Sequence, residues 1–228
     1  MIRILHLYPE LMNLYGDYGN LSIIVNRIKK MGLKVKVERK EYQDPIFFAD
    51  YDFVYIGSGT EKNEMCALKD LIKYELYIKE YVKAGKVMLL TGNAMELMGN
   101  SIDDEKALGL IDFKTTITEK RYTGDVICYN EVLGETVGFI NKSSLIEGGE
   151  KNKLFDYRFK DNNLVDNNFE GYRLKNLFGT HIIGPVLVKN PLFADEILKL
   201  LVKDQYVLDR DPYEEAAYDT TLRELKKR

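Results

Sequence analysis

Apolar and polar positions along the first hundred residues predict strands and helices in turn. Runs at 2–7, 33–39, 52–56 and 86–90 are short and apolar and predict strands, while 20–31 and 64–84 keep a helical period. This alternation predicts a parallel α/β sheet, and the nearly continuous apolar character of several strands predicts helices on both of its faces. Gly32 and Gly85 each follow a basic helical end, the arrangement of a C-cap.

Beyond Gly109 the pattern changes. Strand-like runs at 114–118, 125–129 and 136–140, separated by glycine, predict an antiparallel or mixed extension of the sheet, and the polar stretch 141–168 predicts a long surface loop with a weak hairpin. A last buried strand is expected at 177–183, then Gly184-Pro185, then a helix at about 193–203 following Pro191. The expected division is an α/β domain over 1–208 and a helical tail over 209–228. Ala216, Ala217, Leu222 and Leu225 of that tail, set among charges, suit a surface helix packed on this domain or on a partner.

Composition narrows the class. A chain of 228 residues, 45% hydrophobic and 30% charged, can bury one good core. Its 33 basic and 36 acidic residues are interspersed, so no basic face argues for a nucleic acid or an anionic membrane. No apolar run reaches the ~18 residues of a transmembrane segment, and the start lacks a secretory pattern. Cys66 and Cys128 have no spacing that suggests a disulfide framework or a zinc site. A cytoplasmic protein is expected, without metal or cofactor.

The most informative motif runs Lys86-Val-Met-Leu-Leu-Thr91-Gly92-Asn93-Ala94-Met95-Glu96-Leu97-Met98-Gly99 as strand, sharp turn and helix. An elbow of this kind holds its tip residue in a strained conformation above the C-terminal edge of the sheet, where a nucleophile attacks substrate. Here the tip is Gly92, which tolerates the strain and supplies no attacking atom. Thr91 and Asn93 flank it, and neither side chain is expected to point where a tip side chain would. Ser58 and Thr60 read as loop hydrogen-bonders. His6 lies near the C-terminal end of the first strand, the edge where ligands bind in open α/β sheets.

Taken together, Leu14-Tyr15-Gly16-Asp17-Tyr18-Gly19-Asn20, Ile56-Gly57-Ser58-Gly59, the Gly92 elbow and Gly179-Thr180-His181-Ile182-Ile183-Gly184-Pro185 resemble the class I glutamine amidotransferases of the cobyric acid synthase type. Arg121-Tyr-Thr-Gly-Asp125 and Val137-Gly-Phe139 extend the likeness to the glutaminase subunits (GatD type) of bacterial lipid II isoglutaminyl synthases. The resemblance covers nearly the whole chain. It implies a three-layer α/β/α, flavodoxin-like fold, mostly parallel with an antiparallel extension. In that family an elbow cysteine attacks the glutamine side-chain amide, a histidine near the C-terminus is its base, and the ammonia passes to a partner synthetase.

Matched residue by residue, the nucleophile falls on Gly92 and the base on Ile183, so both are missing. The oxyanion loop reads Gly57-Ser58-Gly59-Thr60, and the family's Val-Gly-Phe-Glu-Asn-His reads Val137-Gly-Phe139-Ile140-Asn141-Lys142. Arg121 matches a substrate-binding arginine, which can hold a carboxylate through two parallel hydrogen bonds. Backbone donors at Gly59 and Asn93 are candidates for a carbonyl oxygen or anion. His181, two positions before Ile183, would face the same side of a strand and reach the old pocket. Tyr15, Asp17 and Asn20 are expected to shape the loop that caps the first helix, or to contact a partner.

The resemblance therefore implies a degenerate subunit without the usual glutaminase chemistry. Its expected partner is a Mur-ligase-like, ATP-dependent synthetase in a heterodimer acting on peptidoglycan precursors, with glutamine or a similar amino acid as a possible small ligand. Two alternatives stand beside it: an active amidotransferase with a non-standard nucleophile, and a stand-alone amino-acid sensor.

Overall fold

The computed structural model describes residues 1–165, 167–208 and 210–228. Its elements, in chain order, are β1 (Ile2–Leu7), α1 (Tyr18–Lys30), β2 (Val35–Lys40), β3 (Phe53–Ile56), α2 (Glu61–Leu71), α3 (Glu75–Lys83) and β4 (Val87–Thr91). The short β5 (Ser101–Ile102) and β6 (Glu105–Lys106) precede the long β7 (Phe113–Asn130) and β8 (Gly134–Gly148). Then come β9 (Lys153–Lys160), β10 (Phe169–Leu174), β11 (Leu177–Thr180), β12 (Ile182–Ile183), α4 (Val186–Lys189), α5 (Pro191–Val202) and α6 (Pro212–Leu225).

The parallel core runs β2-β1-β3-β4-β11, and β10, β9, β7, β8 and β12 extend it by antiparallel pairing. Strand alternation splits the core into two layers. Leu5, Val54, Met88 and Leu90 pack with Leu68, Leu71, Ile78 and Val82 of α2 and α3. Ile4, Phe53, Val87 and Leu89 pack with Ile24 and Ile28 of α1 and Phe193, Ile197 and Leu198 of α5. Each such fully buried side chain contributes roughly 1.5–3 kcal/mol. Between α1 and α5, buried Arg27 pairs with buried Asp195, and Asp195 also accepts from Arg210 Nε at 2.7 Å. Among the described residues no helix is long and apolar enough to cross a membrane.

Several sequence expectations need correction. The helix predicted over 64–84 is broken by a 3₁₀ turn, Ile72–Tyr74. Apolar positions keep a helical period on both sides of the break, so the pattern does not reveal it. The three short strands beyond 109 are parts of two long ones, β7 and β8. Much of the surface loop predicted over 141–168 is also strand, in β8 and β9. Residue 166 lies outside the described residues. Polar Lys142, Ser143 and Ser144 are buried at the site described below rather than exposed in a loop. The strand predicted over 177–183 divides: β11 pairs with β4, whereas β12 pairs with β8.

The tail helix α6 packs on this chain's own hairpin. Leu225, Leu222 and Tyr218 cover Ile127, Val137 and Phe159, and Tyr218 Oη donates to the Glu135 carbonyl at 2.8 Å. The expected boundary at 209 lies outside the described residues.

Candidate functional site

At the end of β4 the chain turns sharply through Gly92, whose φ is +61°, into the 3₁₀ helix Gly92–Met98. This is the elbow read from the sequence, with the left-handed backbone that glycine adopts without steric penalty. A Cβ placed on Gly92 would lie 2.3 Å from Ser58 Oγ, 2.4 Å from Ser58 Cβ and 3.3 Å from Ile183 Cγ2. The tip position and position 183 therefore face each other. Space that a tip side chain would need is filled by Ser58, and the group opposite is a buried hydrocarbon.

The loop after β3 is held against the elbow by an internal network. Asp17 Oδ2 accepts from Ser58 N at 2.6 Å and from Thr91 Oγ1 at 2.9 Å. Tyr55 Oη donates to the Asp17 carbonyl at 3.0 Å and accepts from Asn20 Nδ2 at 3.0 Å, while Asn20 Oδ1 accepts from Leu187 N at 2.8 Å. Burial raises the Asp17 carboxyl to about 6, against the opposing pull of the Ser58 and Thr91 hydrogen bonds. Asp17 and Asn20 thus tie the first loop to the elbow and to α4. Neither caps α1: the Tyr18 amide donates to Asn13 Oδ1 at 2.9 Å, and Asp17 makes no side-chain cap bond. Tyr15, at φ +60°, presents its hydroxyl to Asn141 Nδ2 at 3.1 Å.

One expected ligand contact is changed by this packing. The Gly59 amide, expected to be a free donor, is occupied by Asn93 Oδ1 at 2.9 Å. The Asn93 side chain lines the pocket beside the elbow, and its Nδ2 donates to Glu64 Oε2 at 3.0 Å. An amide side chain thus takes up a backbone donor that could otherwise bind a developing oxyanion.

His181 is also placed differently from the expectation. The break between β11 and β12 interrupts the two-residue alternation that would have aligned it with Ile183. It is buried beside Met95, Ile146, Glu170 and Tyr172, with Nε2 2.9 Å from Glu96 Oε1. Glu96, not His181, reaches the elbow pocket. Arg121 does lie at that pocket's mouth, but its guanidinium donates to Glu61 Oε1 at 2.7 Å and Asn141 Oδ1 at 2.9 Å. His6 lies elsewhere, in a groove with Tyr18, Asn26 and Arg39, and burial followed by the Arg39 charge lowers it to about 4.

The elbow pocket has a volume of about 270 Å³. Its chemistry is dominated by residues not singled out from the sequence: Glu61, Glu64, Glu96 and Ser144. Glu64 is fully buried, and its carboxyl is raised well above the usual range by burial and then by the charge of Glu96. Glu96 Oε1 accepts from Ser144 Oγ at 2.6 Å. A signal for both was available. Glu64 sits one helical turn before Ala67 and Leu68 on an apolar face, and Glu96 interrupts the apolar run Ala94-Met95-Glu96-Leu97-Met98. Among the described residues no group of three or more His, Cys, Asp or Glu is placed to hold a metal ion.

Comparison with known proteins places this geometry. Residues 3–191 match the family model described as a CobB/CobQ-like glutamine amidotransferase domain. The chain is 30% identical over 207 residues to the GatD subunit of lipid II isoglutaminyl synthase (glutamine-hydrolyzing) from Staphylococcus aureus, covering 87% of this chain and 83% of that protein. The corresponding subunit from Streptococcus pneumoniae is 27% identical over 216 residues, covering 91% of this chain and 83% of that protein. A crystal structure of a glutamine amidotransferase superposes with a TM-score of 0.57 at 15% identity, over 86% of this chain and 98% of that one. With a parallel core flanked by helices and an elbow at the edge of the sheet, the chain belongs to the CobB/CobQ-like glutamine amidotransferase family and carries its class I, flavodoxin-like fold.

Proposed function

We propose that this chain is an amidotransferase-like subunit that does not hydrolyse glutamine and acts in the cytoplasm as the non-catalytic companion of an ATP-dependent, Mur-ligase-like amide synthetase. Its pathway would be the amidation of lipid-linked peptidoglycan precursors. The observation that carries this is the tip of the elbow. Cysteine-based amide hydrolysis needs a thiolate, a base to generate it and donors for the oxyanion. At these places the chain has Gly92, Ile183 and a Gly59 amide already bonded to Asn93. The partner assignment is supported by the relatives, each of which is named as a subunit of a glutamine-hydrolyzing synthase.

The test is glutamate release from glutamine by the purified chain, alone and with the synthetase from the same cell, alongside amide formation from ammonium salts. Expected are no glutamate above background and ammonium-dependent amide formation by the pair. Glutamine turnover by the native chain, or failure of the two proteins to associate, would overturn the proposal. Restoring the old chemistry should require three changes together, Ser58→Gly, Gly92→Cys and Ile183→His, because Ser58 occupies the place of the missing side chain.

A further inference from the structure

The outer face of α3 combines exposed hydrocarbon with uncompensated positive charge. Leu76 and Tyr77 point outward on this helix at 73% and 62% exposure, and exposed Glu80 and Lys83 continue the same side at helical spacing. Beside them is a shallow depression of about 310 Å³, floored by Val82, Leu110 and Leu174 and rimmed by Lys79, Lys83 and Lys175. An exposed apolar patch with a polar rim is the signature of a contact with a protein or a membrane.

The charges decide between the two. Lys79 and Lys106 share Glu75, at 2.6 and 2.5 Å. Lys175 Nζ donates to the Lys83 carbonyl at 2.8 Å, and among the described residues neither Lys83 nor Lys175 has a carboxylate partner. These four lysines thus stand against two glutamates, Glu75 and Glu80, which leaves a positive face on a chain whose net charge is -3. In the sequence the lysines are interspersed with acids; they gather because α3, the segment after β6 and the turn between β10 and β11 meet around the depression. Protein interfaces favour arginine and are depleted in lysine, whereas every cation lining this depression is a lysine. Leucine and tyrosine set among lysines are the composition of a helix lying in a membrane interface, its hydrocarbon immersed and its ammonium groups level with the lipid phosphates.

We propose that this face docks on an anionic lipid surface, with Leu76 and Tyr77 entering the headgroup layer and Lys79, Lys83 and Lys175 contacting lipid phosphates. The inference goes beyond the role proposed above, does not depend on whether glutamine is hydrolysed, and would keep the chain beside a lipid-linked substrate. At nine residues α3 lies on the membrane and does not cross it. Docking draws on a small inserted apolar area and a few lysines, so it is reversible and weakens with salt.

The experiment is co-sedimentation of the whole chain with vesicles of phosphatidylcholine alone and of phosphatidylcholine mixed with phosphatidylglycerol, at low and at physiological salt. Binding to the anionic vesicles, reduced by salt and absent from the neutral ones, is expected. Joint replacement by Lys83→Gln and Lys175→Gln should weaken it by about tenfold or more, and Leu76→Ser should weaken it by a smaller factor. All three positions are exposed, and circular dichroism verifies that the variants fold. The chain has no tryptophan, so Leu76→Trp is a unique probe of depth. Its emission should shift to the blue and be quenched by brominated acyl chains, whereas Tyr213→Trp, at an exposed position of α6, should report water. No binding to anionic vesicles, binding unchanged by the lysine replacements, or equal quenching at 76 and 213 would overturn the proposal. So would capture of the chain by polyglutamate beads without binding to vesicles, which would assign the face to an acidic protein. A chain that binds vesicles and hydrolyses glutamine leaves this face standing and the non-catalytic role fallen; a chain that does neither reverses the two.

Discussion

Filling the empty tip of the elbow is the most direct way to test how the site is built. In Gly92→Ala the added methyl meets two costs that can be separated. An L residue in the left-handed region costs roughly 1–2 kcal/mol, and position 92 lies there at φ +61°. The new Cβ would also stand 2.3 Å from Ser58 Oγ and 2.4 Å from Ser58 Cβ, and overpacking of a filled interior typically costs ~1–3 kcal/mol. The expected destabilisation is therefore ~2–5 kcal/mol, within the roughly 5–15 kcal/mol that holds a domain together.

A double-mutant cycle with Ser58→Gly divides these terms. Removing the Ser58 side chain should return the overpacking part, about 1–3 kcal/mol, and leave the backbone part. Ser58→Ala is the control, since it keeps the Cβ that stands 2.4 Å away and should rescue little. The chain has 16 tyrosines and no tryptophan, so urea unfolding is followed by far-ultraviolet circular dichroism and tyrosine fluorescence. A loss below ~0.5 kcal/mol in Gly92→Ala, or strict additivity in the Ser58→Gly pair, would refute the view that Ser58 fills the nucleophile's place.

Other perturbations test the frame around the site. Asp17 has its carboxyl raised from 3.8 to about 6 by burial, so the folded state binds its proton more tightly than the unfolded chain does. Its stabilising contribution is greatest below its unfolded value and is lost as the pH rises through about 6. The stability of the native chain minus that of Asp17→Asn should fall by up to ~3 kcal/mol between pH 4 and 7, and a flat difference in urea titrations would contradict this. Asp195→Ala leaves buried Arg27 without its carboxylate and should cost about 3–5 kcal/mol, whereas joint replacement by Arg27→Met and Asp195→Leu should be closer to neutral in thermal melts. Leu225→Ala should cost about 2 kcal/mol if α6 is held by its contacts with Ile127 and Val137, and susceptibility of the tail to protease should rise with it.

The parallel half of the fold was legible because its strands are buried on both faces. Ile2–Leu7 coincides with the predicted strand, Phe53–Ile56 starts one residue later than predicted, and Val87–Thr91 is shifted by one residue at each end. The antiparallel half was harder because its strands carry polar residues for two different reasons. In β9 the alternation Phe155, Tyr157, Phe159 was a strand signal inside a polar stretch. In β8, Lys142, Ser143 and Ser144 are polar because they face the site, and in the sequence such a run has the same pattern as an exposed loop.

On the proposed reading, the sequence shows which catalytic groups are missing and conceals which side chains surround their positions. Gly92 and Ile183 stand in a frame fixed by local motifs, so the absence of a thiol and an imidazole is visible one residue at a time. The groups now occupying that space come from separate segments: Ser58 from the loop after β3, Asn93 from beyond the tip, Glu64 from α2 and Glu96 from the elbow helix. Their contacts depend on the sheet bringing β3 and β4 side by side, which no local pattern encodes. The replacements are also coupled. Asn93 bonds at once to the Gly59 amide and to Glu64, and Ser58 holds its place through Asp17, which in turn holds Thr91 at the base of the elbow. A cysteine placed at position 92 alone would meet Ser58 instead of open space and the Ile183 hydrocarbon instead of an imidazole, which is why the proposed loss of glutaminase chemistry does not reduce to one residue.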